Sequence, residues 1–98
     1  MDNAEILSLV RADLEQPTHA VDEFLAHLIG VARNKIDEHG IKTFDDDCPG
    51  DCGLLVMYTS YLYRKRKATT PEESEMPRML KYSIHNRVMA EKGKVGET

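Results

Sequence analysis

Tryptophan is absent from this 98-residue chain, and only two cysteines occur. Two thiols cannot form the disulfide framework that compensates for a thin core in small secreted domains. They also fall short of the four ligands a structural zinc ion needs. No apolar run approaches the roughly 18–20 residues required to span a membrane. The opening MDNAEILSLVRADLEQ is acidic and amphipathic, without the basic start and unbroken apolar centre of a signal peptide, so the expected compartment is the cytoplasm. Glycine-rich phosphate loops, H-E-x-x-H and Ser/His/Asp sets are missing too. The histidines (His19, His27, His39 and His85) stand singly. No enzyme activity, catalytic residue or cofactor is expected.

The composition, 41% hydrophobic and 31% charged, fits one small folded domain over residues 1–98. Net charge is −4, unevenly spread: residues 1–51 carry twelve acidic and four basic side chains, residues 52–98 five and nine. A front half at −8 and a back half at +4 suit head-to-tail packing of copies. An acidic and a basic face on a solitary domain would give the same split.

Periodicity predicts an all-α fold, a small bundle of four helices. The first covers Ala4–Leu14, with Asp2 as N-cap and Glu5 three residues on. Pro17 ends it. The second covers His19–Glu38 with Thr18 as cap; Val21, Phe24, Leu25, Leu28, Ile29, Ala32 and Ile36 recur at helical spacing, and Gly40 stops it. Gly30 inside it implies a close helix crossing. Phe44 is expected to tuck back from the loop Ile41–Pro49. The third helix, Gly50–Lys67, is apolar on several faces, so it needs partners on several sides, another copy among them. Thr70-Pro71-Glu72-Glu73 has the order of a capped helical turn. Pro77 leads the fourth helix, whose stripe is Met76, Leu80, Ile84 and Val88 and which ends near Lys92, leaving 94–98 as a loose tail. The second and third helices should form the central antiparallel pair, with Leu25, Leu28, Ile29, Leu55, Tyr58 and Leu62 buried.

Cys48 and Cys52, spaced C-x3-C without a second pair, are read as a surface loop cysteine and a partly buried helix cysteine, not as metal ligands. Asp45, Asp46, Asp47 and Asp51 lack the alternating spacing of a calcium loop and read as a solvated acidic loop. The run Arg64-Lys65-Arg66-Lys67 matches the negative end of its helix dipole. With Lys81 and Arg87 it offers a phosphate-binding edge. Tyr58, Tyr61 and Tyr63 upstream are expected to pack at a helix interface.

The order of these parts resembles one family: a short first helix, VDEFLAHLIGVARNKIDEHGI, then LLVMYTSYLYRKRK, then PRMLKYSIHNRVMAEKG. From Ile6 to Gly93 the chain is similar to phage head–tail connector (DNA-packaging adaptor) proteins, particularly prophage-encoded ones of Gram-positive bacteria. The resemblance implies a structural subunit that forms a ring below the portal, extends the DNA channel and docks stopper or tail-completion proteins. It implies a place at the capsid vertex, after assembly from the host cytoplasm, with packaged DNA nearby and no membrane or catalytic residues. The last helix and the segment before it, Met76–Lys92 and Ala68–Glu75, would make the particle contacts. Arg64, Lys65, Arg66, Lys67, Met76, Arg78, Met79, Lys81 and Arg87 are thus the expected interaction residues, the cations facing a neighbouring subunit or the DNA. The alternative is a small DNA-binding regulator using the Arg64–Lys67 edge.

Overall fold

The computed structural model describes residues 2–16, 19–71 and 75–96, and places them in four helices with no strand among them. These are α1 (Asn3–Asp13), α2 (Asp22–Glu38), α3 (Pro49–Arg66) and α4 (Arg78–Gly96). The expected all-α bundle is therefore present. Thr18, expected to cap α2, and Glu72 and Glu73 of the turn expected at Thr70–Glu73 lie outside the described residues.

Local chemistry sets most of the ends. The Asp2 side chain accepts the Glu5 backbone N–H at 2.9 Å and caps α1 as the sequence predicts. At the other end the Gln16 N–H bonds the Arg11 carbonyl and the Glu15 N–H that of Ala12. This is a Schellman closure with Glu15 in the left-handed region at φ 56°. Gly40 takes the same role after α2, at φ 92°. The helix α2 starts three residues later than expected. Asp22 N–H bonds the His19 carbonyl in a tight turn, and Val21 supplies no side-chain cap. Pro49 occupies the first turn of α3, where its missing N–H costs nothing. The helix α4 runs through Gly93 to Gly96, past the expected stop.

Ile6, Val10, Leu25, Ile36 and Leu55 are fully enclosed, and with Leu28, Ile29, Leu54, Leu80 and Ile84 they form one core. The largest share of the helix contact lies between α2 and α3. Phe24 near the start of α2 meets Tyr63 near the end of α3, and His39 beyond the end of α2 meets Tyr58 further back, so the pair is antiparallel. Of the six residues expected in this seam, five are buried and Leu62 is half-buried. Phe44 packs on the core from its loop. A Cβ built on Gly30 meets nothing within 4 Å, so no close crossing explains that glycine.

Candidate interaction surface

Because α3 is apolar on several sides it requires several partners, and its own chain supplies them: α1, α2 and α4 all pack on it. Tyr58, Tyr61 and Tyr63 are buried in these contacts, and burial pushes the Tyr58 hydroxyl pKa up. Much of the apolar character of α3 is thus covered within its own chain, while Val56 and Met57 on another side stay half-buried.

A buried polar network fixes α4 against the rest. Arg87 Nε lies 2.8 Å from Asp51 Oδ1 and its Nη2 3.4 Å from Oδ2, while its Nη1 is 3.4 Å from Glu91 Oε1. The Thr43 N–H and hydroxyl both donate to that same Glu91 oxygen, at 2.9 and 2.8 Å. The Asp45 N–H donates to Asp51 Oδ2 at 2.9 Å. All three charged side chains are nearly enclosed, with 13% of Arg87, 8% of Asp51 and 7% of Glu91 exposed. The Asp51 hydrogen bond, against the opposing effect of burial, holds the Arg87 pKa above its ordinary range. Arg87 therefore binds inward, in place of the outward contact expected of it, and Asp51 is a buried anion and not part of a solvated loop. Asp46 is also engaged: Arg33 Nη2 donates to it at 2.7 Å and lowers its pKa. Neither Thr43 nor Glu91 carried a sequence signal, because ordinary polar residues announce a network only once the fold brings them together.

The basic end of α3 is exposed but partly used at home. The Arg66 guanidinium lies 4.4 Å from the centre of the Phe24 ring and the Lys67 ammonium 4.7 Å from that of Tyr63; Lys65 is 5.9 Å from Tyr61. Arg64 Nη2 donates to the Asp13 carbonyl at 3.2 Å and lies 3.7 Å from its carboxylate. All four cations thus tie α3 to α1 or α2 or cover one of its own rings, through contacts of the cation–π and ion-pair kind.

The last helix carries the open surface. Leu80 and Ile84 face the core, and Met76 and Val88 are half-buried beside them. On the opposite side Met79, Tyr82 and Met89 are 70%, 60% and 53% exposed. Steps of three, four and three residues through Asn86 put them on one face. Arg78, Lys81, His85 and Lys92 follow the same rhythm along its flank, all exposed. Of the expected interaction residues, Met79, Arg78 and Lys81 stand here, Met76 is turned toward the core, and Tyr82 and Met89 are additions. Their signal was in the sequence: two interleaved apolar rows on one helix, of which a single-sided packing can bury only one.

Asp45, Asp46 and Asp47 bring carboxylate oxygens within 4.8 Å of one another, while Cys48 and Cys52 join no such cluster among the described residues. Cys48 is exposed at the α3 cap and Cys52 is buried. No helix among the described residues is long and apolar enough to cross a membrane. No protein-family model, curated protein or solved structure matches the chain.

Proposed function

We propose that this chain is the subunit of a phage or prophage head–tail connector, a structural ring between the portal and the stopper or tail proteins that extends the DNA channel. The observation that carries the reading is the outer face of α4. A proline-led last helix that stands exposed with Met79, Tyr82 and Met89 beside a basic row is equipped to bind a protein, and this is the segment the family resemblance assigns to particle contacts. The small all-α bundle is compatible with that role. Portal protein and stopper or tail-completion proteins would be its partners, with self-association in the ring and the virion neck as its final location.

The test is binding to the portal protein of the same phage or prophage, followed by deletion of the gene for this chain. Co-purification with portal rings, and heads without attached tails in the deletion strain, are the expected results. Normal tailed particles from the deletion strain would remove the reading. A duplex affinity that depends on base sequence and falls steeply with salt would replace it with the DNA-binding regulator.

A further inference from the structure

A second apolar surface lies on the far side of α3 from α4. There α1 and α3 border an open groove of about 600 Å³, with Leu9 at its edge, 44% exposed, and Val56 and Met57 half-buried along it. Gly53 contributes no side chain to this groove, and a Cβ built on it meets nothing within 4 Å. Asp13 and Asp47 line its rim, and Glu5, one turn before Leu9, extends the acidic row. By contrast Gly50, Asp51 and Leu54, on another side of α3, line a cleft shared with Ser83 and Arg87 of α4. Groove and α4 outer face are therefore separate surfaces of one molecule.

We infer that the outer face of α4 in one copy docks in the α1–α3 groove of the next. Both surfaces are apolar with charged borders, and the borders are opposite in sign: Arg78, Lys81 and Lys92 beside the stripe, Glu5, Asp47 and Asp13 (the last shared with Arg64) beside the groove. None of those three cations has an ion-pair partner among the described residues. Two stripes packed face to face would set basic row against basic row, which disfavours a symmetric dimer. Duplex DNA would satisfy the cations but leave Met79, Tyr82 and Met89 in water. A contact between different surfaces is heterologous, and it closes into a ring only if its rotation permits. The biological use of the contact rests on the connector reading; the contact itself needs no portal.

Exchange between two variants tests it. One, Tyr82→Glu with Met89→Glu, spoils the stripe; the other, Leu9→Lys with Gly53→Lys, fills the groove and reverses its charge. Both change exposed or open positions, and unchanged helicity by circular dichroism verifies the folds; Leu9→Lys alone is the milder groove variant. In low salt the wild-type chain should self-associate between micromolar and millimolar concentration, and each variant alone should do so at least roughly tenfold more weakly. An equimolar mixture should recover a dimer and nothing larger, since each partner retains one intact surface. Amide shifts on mixing should fall on Leu9, Gly53 and Val56 of the stripe variant. A wild-type chain that stays monomeric at millimolar concentration would overturn the contact. Groove variants that dimerise as well as wild type, or stripe shifts produced only by added duplex DNA, would overturn it equally. Because no portal is present, these results leave portal docking to stand or fall on its own test.

Discussion

At the level of single residues, the most consequential side chain is Arg87. Asp51 and Glu91 share it in a nearly closed site, so its removal strands two buried carboxylates. Breaking such a pair costs about 3–5 kcal/mol, a large part of the roughly 5–15 kcal/mol that holds a small domain together. Arg87→Ala should therefore lower the urea midpoint sharply, and adding Asp51→Asn and Glu91→Gln should restore part of it. Asp46 gives a pH signature. Its bond from Arg33 depresses its pKa below the ordinary 3.8, so it adds stability above that value and loses it as pH falls through the lower, folded one. The pair is partly exposed, 34% for Arg33 and 19% for Asp46, which limits the effect to about 0–1 kcal/mol. Asp46→Asn should flatten stability against pH in that acid window and leave the rest of the profile alone. Arg66 and Lys65 make a matched comparison. Arg66→Gln loses a close ring contact and should cost about 0.5–1 kcal/mol, whereas Lys65→Gln, at the outer limit of such contacts, should cost close to nothing.

The helices themselves were largely legible, for reasons that vary from one to the next. The helix α2 could be read because seven apolar residues recur at helical spacing and Gly40, with no Cβ to clash, sits at ease in the left-handed stop. Its start was misplaced because the cap is a backbone turn at His19–Asp22 with no side-chain signature. The close of α1 was placed within a residue from Pro17, but its mechanism carried no signal: Glu15 does a glycine's work, against its own preference. A left-handed non-glycine residue costs about 1–2 kcal/mol, so Glu15→Gly should raise stability by up to about 1 kcal/mol in thermal or urea unfolding, without moving the helix end. The candidate site was only half legible. The basic run was visible as composition, but its rings lie on two helices, and nothing in sequence order brings Arg66 to Phe24. Arg87 looked like a surface cation for the same reason, since its partner Asp51 is 36 residues away.

For the molecule as a whole, dimensions of 46 × 33 × 17 Å describe a thin plate, with α4 laid along one side of the α1–α3 unit and its outer face uncovered. The charge split of the sequence survives folding in modified form. Asp51 and Arg87 cancel inside, and the remaining contrast sets the acidic α1 edge against the basic flank of α4. Exposed ion pairs contribute about 0–1 kcal/mol each, so charge can orient a partner but not hold it. Apolar area, at about 25 cal/mol per Å², must supply the affinity, and Met79, Tyr82 and Met89 are where that area stands open. Reversing all of Arg64–Lys67 would disturb the seams with Asp13 and Phe24, confounding assembly with stability. Arg78→Glu with Lys81→Glu is the cleaner change, because both side chains are exposed and no ion pair among the described residues uses them. That variant should unfold within about 0.5 kcal/mol of wild type. On the connector reading proposed above, in a phage background it should bind portal rings more weakly, with a reduced dependence on salt, and should yield fewer tailed particles. Wild-type numbers of tailed particles, with portal binding unchanged at low salt, would deny the α4 flank any part in assembly.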